Sequence, residues 1–194
     1  RKIMKPTEHK TVQTRILKYA DDLGWSYVSR KEAEERRGFV EGSTGEERCQ
    51  PATLYFNDLL FQKAHELNPS LTDDLPEFLR RFDLLSADIF GNRDSLEMLR
   101  GNKTFFVPSE SRELNLQLID FDDISKSIKK RRNVYEVPEE FYFHNGNYGN
   151  REDVVFLING IPVLVIECKN ADKDEAIALG VDQFMHCLIH AFFR

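Results

Sequence analysis

The chain is short of everything that would make it a disulfide scaffold, a membrane protein or a polycation. Its 194 residues include three cysteines, Cys49, Cys168 and Cys187, scattered with no C-x-x-C pair. That usage argues against a disulfide framework or zinc-ligand spacing and suits a reducing cytosol. The longest apolar stretch, Val154 to Cys168, is too short for a membrane span and is broken by Asn159-Gly160. No signal peptide precedes the first helix, so no membrane association is expected. With 10 Gly, 7 Pro, no low-complexity tract and no internal repeat, neither long disorder nor a solenoid is expected. Positive charge is lacking too: the formal net charge is −6. A protein that grips nucleic acid alone is usually basic, so such affinity would have to come from a local patch or from partners.

What is present is ordinary globular material, 41% hydrophobic and 31% charged with 15 Phe. The length suits one fair-sized domain over 1–194, helical to about residue 101 and built on a sheet over about 102–194. The start at Arg1 without methionine and the apolar close LIHAFFR suggest a fragment of a longer chain.

Periodicity sets the elements. Apolar positions Val12, Ile16, Leu17, Ala20 and Leu23 follow helical spacing after Pro6-Thr7, and Gly24 closes that helix. Trp25 to Val28 reads as a short strand, Lys31 to Arg37 as a charged helical turn or two, and Gly38 to Gln50 as a loop. Two amphipathic helices follow, about Ala52 to Leu67 and about Pro76 to Phe90, separated by Asn68-Pro69-Ser70. Their Phe56, Phe61, Phe78 and Phe82 are expected in the core. Asp94 to Leu99 makes a short helix ending at Gly101. Strands are expected over Lys103–Val107, Leu114–Ile119, Val134–Phe143, Val154–Ile158 and Ile161–Lys169, with a last helix from about Asp172. Helices, then a sheet, then a helix specify an α+β or mixed α/β domain.

The candidate chemistry lies at the last two strands, NREDVVFLINGIPVLVIECKN. Both faces of the hairpin are apolar, so its strands should be central in the sheet. Ionised groups beside such a core are costly unless they pair or hold a metal. Asp153, Glu167 and Lys169 are those groups, and Glu167 and Lys169 share a face because strands alternate with period two. Register decides whether Asp153 joins them. A two-residue Asn159-Gly160 turn pairs Ile158 with Ile161 and puts Asp153 opposite Ile166, on the wrong face. A three-residue loop with a bulge pairs Leu157 with Ile161 and restores the right one. The chemistry therefore predicts an odd loop or a bulge. If the groups meet, Asp153, Glu167 and the backbone carbonyl of Cys168 are hard oxygen ligands suited to Mg²⁺. Lys169 can then orient or deprotonate an attacking water, or neutralise developing charge. As a bare D…E-x-K, the same residues could equally be strand-end charges in a surface salt bridge.

The spacing, the buried hairpin and the helix after it resemble the PD-(D/E)XK nuclease core. More specifically, DVVFLINGIPVLVIECKNA resembles the nuclease segment of type I restriction endonuclease R subunits. Asn92 to Gly101 (NRDSLEMLRG), Leu118-Ile119-Asp120-Phe121, Asn133-Val134-Tyr135-Glu136-Val137 and Leu23-Gly24-Trp25 are similar to the N-terminal region of that family. The resemblance implies a PD-(D/E)XK fold, a mixed central sheet flanked by helices, and a Mg²⁺-dependent endonuclease domain cutting double-stranded DNA. It implies two ATP-driven motor domains later in the same polypeptide, methylation and specificity subunits as partners, and the cytoplasm of a bacterial or archaeal cell. No G-x-x-x-x-G-K-[ST] occurs here, so the ATP-using motor is not in this chain.

Departures from the family pattern are specific. Glu152 stands where Pro often precedes the Asp, and Gln13 stands where such nucleases often carry a first-helix glutamate. Glu8 could substitute only if the helix entry bends inward. The family's post-core Gln-x-x-x-Tyr becomes Gln183 with Cys187, and His186 stands where Arg is common. Gln183 is a candidate DNA contact. So is the basic cluster KSIKKRR, with Lys129, Lys130, Arg131 and Arg132, although Asp120, Asp122 and Asp123 could balance it as a solvated loop. Two other readings stand beside the first: a catalytically inert module of the same fold that docks a motor, and a repair or RNA-acting nuclease of that fold.

Overall fold

The computed structural model describes residues 12–39, 53–71, 75–85, 89–145 and 148–168. In chain order these form α1 (Thr14–Asp22), β1 (Ser26–Val28), α2 (Arg30–Arg36), α3 (Asn57–Leu67), α4 (Leu75–Asp83), α5 (Ile89–Leu99), β2 (Phe105–Val107), β3 (Arg112–Leu114), β4 (Tyr135–Asn145), β5 (Tyr148–Ile158) and β6 (Ile161–Ile166). Short 3₁₀ turns cover Pro108–Glu110, Phe121–Ser125 and Ile128–Lys130.

The main sheet runs β1-β4-β5-β6, with β1 parallel to β4 and the other pairs antiparallel. The class is therefore mixed α/β, a central mixed sheet flanked by helices, as the resemblance implied. The strand β5 is central, as the apolar run required. Its partner β6 lies at the edge among the described residues, with Val163 at 43% and Leu164 at 51% exposure. The expectation that both strands are central holds for β5 alone.

Alternating side chains of β5 serve two layers. On one face, Val154 and Phe156 join Val137 and Ile166 under Ile16, Leu17 and Ala20 of α1. On the other, Val155 and Leu157 join Phe141 and Val165 against Val28, Ala33 of α2, and Phe56 and Leu59 beside and in α3. A third cluster binds α3, α4 and α5 to β2 through Leu60, Phe78, Phe82, Met98, Phe105 and Val107, and Ile161 reaches into it from the hairpin. No helix among the described residues is long and apolar enough to cross a membrane.

α1 ends as its Gly24 foretold. At φ +86, Gly24 donates its N–H to Asp21 and Trp25 donates to Ala20, the paired bonds of a left-handed helix stop. Three expectations need correction. The helix set at Pro76 to Phe90 is two: α4 ends at Asp83, and Phe90 belongs to α5, which starts five residues before Asp94. Of the strand expected over Leu114–Ile119 only Leu114 is extended into a pair, because Leu116 and Leu118 are held as buried anchors of the third cluster. Phe61 is 41% exposed, while Phe56, Phe78 and Phe82 are fully buried. The expected 38–50 loop and the helix from Asp172 lie largely or wholly outside the described residues.

Candidate active site

Construction of the site begins at the hairpin turn. Asn159 and Gly160 both have positive φ, 53 and 81, the conformation of a two-residue type I′ turn. Ile158 accordingly pairs with Ile161 and Leu157 with Pro162. The ladder then shifts: Phe156 pairs with Leu164, Val155 with Val165, and Val154 with Ile166. Val163 is the extra residue of a β-bulge. Pro162 precedes it, and a residue without an N–H is at home beside a break in the ladder. Asp153 precedes Val154 and Glu167 follows Ile166, where β6 ends, so the shifted register gives the two residues the same parity. The parity that the chemistry required is met, by a bulge after a two-residue turn instead of a three-residue loop.

The turn is anchored. Asn159 Nδ2 donates to the Leu118 carbonyl (2.8 Å) and to Asn133 Oδ1 (2.9 Å), and Oδ1 accepts from the N–H of Val134 (2.8 Å). Gly160 lies against Phe56, whose N–H donates to the Gly160 carbonyl (3.0 Å). Below Asn133, the fully buried Asp123 accepts from the N–H groups of Arg132 (2.8 Å) and Asn133 (2.7 Å) and from Lys126 Nζ (3.2 Å).

Asp153 is held from two sides. Oδ2 accepts from the main-chain N–H of Cys168 at 2.6 Å, and Oδ1 accepts from Gln13 Nε2 at 2.8 Å. Gln13 sits at the head of α1 and is 2% exposed; its Oε1 is buried with no hydrogen-bond partner among the described residues. The Cys168 side chain is buried. Nearby on β4, Glu139 pairs in register with Val154 and accepts from the Tyr27 hydroxyl. Burial and that acidic partner push the Tyr27 phenol up to about 12.

The carboxylates of Asp153 and Glu167 and the Cys168 carbonyl are the residues that would hold a Mg²⁺ ion, hard-oxygen donors of the kind it takes. That ion is bound through one or two carboxylates and keeps several waters. Among the described residues no three His, Cys, Asp or Glu side chains converge as metal ligands. Lys169 and Gln183 lie outside the described residues, as do Glu8 and His186.

The basic cluster divides. Lys126 is spent on Asp120 (2.8 Å) and Asp123. Arg131 donates to the Leu23 carbonyl and stacks its guanidinium over Tyr135, 5.1 Å from the ring centre. Arg132 donates to the Glu66 carbonyl. These three hold the 3₁₀ segments against the core, whereas Lys129 and Lys130 project into solvent.

A sequence-family model described as type I restriction enzyme R protein N terminus matches residues 5–186. The chain belongs to that family. Within the R-protein N-terminal family, it is 27% identical over 176 residues to a protein of Methanocaldococcus jannaschii named putative type I restriction enzyme MjaIXP endonuclease subunit. The match covers 88% of this chain and 16% of that protein, so the chain spans about a sixth of the relative's length.

Gln13 is the site residue that local pattern could not assign. Its place in an amphipathic helix was legible, and so was its coincidence with a family glutamate position. Its grip on Asp153, 140 residues away, was not.

Proposed function

We propose that the chain is the Mg²⁺-dependent endonuclease domain of a type I restriction R subunit, hydrolysing phosphodiester bonds of double-stranded DNA. The observation that carries this reading is the bulged register, which pairs Val154 with Ile166 and so gives Asp153, midway along β5, and Glu167, just past β6, the same parity. In it, Asp153, Glu167 and the Cys168 carbonyl hold the ion, and Lys169 orients or deprotonates the attacking water. The ion, when bound, polarises the scissile phosphate and lowers the pKa of a coordinated water. The hydrogen bonds from Cys168 and Gln13 fix Asp153 in one orientation, so that little reorganisation is needed when substrate arrives.

An acidic domain needs help to engage DNA. Motor domains elsewhere in the longer polypeptide would deliver it, methylation and specificity subunits would choose the site, and Lys129 and Lys130 would add a local phosphate contact. The whole 194-residue chain would act as one nuclease domain of such a polypeptide, in the cytoplasm. Lys169→Ala in the assembled complex tests the reading: DNA cutting should vanish while ATP hydrolysis persists. Cutting that survives would overturn the assigned roles.

A further inference from the structure

Gln13 carries one thing the mechanism above does not use. An ionised carboxylate only accepts hydrogen bonds, so the amide must turn Nε2 toward Asp153. That leaves Oε1, an acceptor with two lone pairs, sealed from solvent and without a donor among the described residues. Buried acceptors are almost always satisfied, and one left open beside the key carboxylate calls for a specific donor. Mg²⁺ dehydrates reluctantly, so an ion at Asp153 and Glu167 brings waters whose O–H groups need acceptors.

Resting on the metal reading of the site, we propose that Gln13 is a positioning residue of the metal centre. Nε2 holds Asp153, and Oε1 accepts a hydrogen bond from the hydration shell of the bound divalent cation. One side chain thus fixes both a ligand and the ion's water. Because the carboxamide is neutral, it does this without the repulsion that a carboxylate would meet 2.8 Å from Asp153 Oδ1.

Titration of the chain with MgCl₂, and separately with CaCl₂, by calorimetry and by thermal melting tests this without any turnover. The unaltered chain should bind, and Gln13→Leu, which removes both functions, should weaken binding about 10–100-fold, the usual effect of losing an outer-shell partner. Gln13→Glu cannot donate to Asp153 but restores the acceptor. It should melt lower than the unaltered chain without metal, yet bind the ion at least as tightly. If Gln13→Glu binds as weakly as Gln13→Leu, the bond to Asp153 is all that matters and Oε1 has no role. If both variants bind like the unaltered chain, the inference is overturned while the metal site stands. If the unaltered chain binds neither ion and matches Asp153→Asn, the metal reading itself falls and takes the inference with it. Circular dichroism of the metal-free variants separates loss of binding from loss of fold.

Discussion

The main-chain N–H of Cys168 donates to Oδ2 of Asp153 across 2.6 Å, so a side chain of β5 ties down the residue that leaves β6. This bond spans the open end of the hairpin and orients the carboxylate whose other oxygen takes Gln13. Asp153→Asn is nearly isosteric and has a ready rearrangement: its oxygen keeps the Cys168 bond, and its amide donates to Gln13 Oε1 once that amide turns over. Folding stability should therefore change by only about 1 kcal/mol. Mg²⁺-dependent nicking of supercoiled plasmid should fall to background, and urea unfolding of the same sample checks the first half of the expectation.

Gly160→Ala should destabilise strongly. A Cβ there would lie 2.6 Å from the Phe56 carbonyl oxygen, a backbone atom that cannot step aside, and φ is +81. Strain plus the displaced α3 entry should cost about 2–3 kcal/mol, read as a drop in the chemical denaturation midpoint.

Asn159 combines a left-handed backbone with a buried polar hub. Asn159→Gly keeps the turn but leaves the Val134 N–H and the Leu118 carbonyl without their partner, at about 1–3 kcal/mol. Asn159→Ala adds the cost of a Cβ at positive φ, about 1 kcal/mol more. Equilibrium unfolding of the two variants separates the two contributions.

Acid should loosen the segment beneath the hairpin through Asp123. Burial alone would raise its pKa, but the N–H groups of Arg132 and Asn133 and the Lys126 ammonium outweigh it and hold the carboxyl below its ordinary value. A depressed folded pKa means the unfolded chain binds the proton more tightly. The stabilisation is then fully present above the ordinary carboxylate range and is lost as pH falls through the folded value, below about pH 4. Asp123→Asn should lower stability at neutral pH and flatten the acid limb of a stability-against-pH curve.

Lys129 and Lys130 should contribute to DNA affinity without contributing to the fold. Replacing both by Ala should reduce the slope of log affinity against log salt by about 1.8 if each neutralises one phosphate, with the melting temperature unchanged. Lys126→Ala should do the reverse, lowering the melting temperature and leaving the slope alone, because its ammonium is committed to Asp120 and Asp123. Fluorescence anisotropy on duplex DNA across a salt series distinguishes the two classes.

Much of this architecture was legible in local pattern. Gly24 marks a helix stop because only glycine adopts φ +86 without strain. Asn159-Gly160 marks a turn for the same reason but left its length open, and the two-sided apolar run marked β5 correctly as central while misplacing β6, which is at the edge among the described residues. Helix periodicity was weaker evidence where neighbouring elements decide packing. Phe61 has helical spacing yet faces outward, and residues 76–90 read as one helix although the chain breaks after Asp83. The KSIKKRR cluster looked uniform in sequence, while its acidic and carbonyl partners, brought in from Asp120, Leu23 and Glu66, split it into buttresses and solvent-exposed cations.

By itself, the sequence determined which side chains are available to the site and where the hairpin turns, because residue type, strand alternation and turn chemistry act over a few neighbours. It could state the condition for a site, that one extra residue enter the hairpin, and it contained a hint in Pro162. Only the tertiary structure decided that the extra residue is Val163, because the turn is docked on Leu118, Val134 and Phe56 and the bulge must be absorbed beyond that fixed end. Only it brought Gln13 to Asp153, because a contact across 140 residues depends on α1 packing over β5, and no local rule reaches that far.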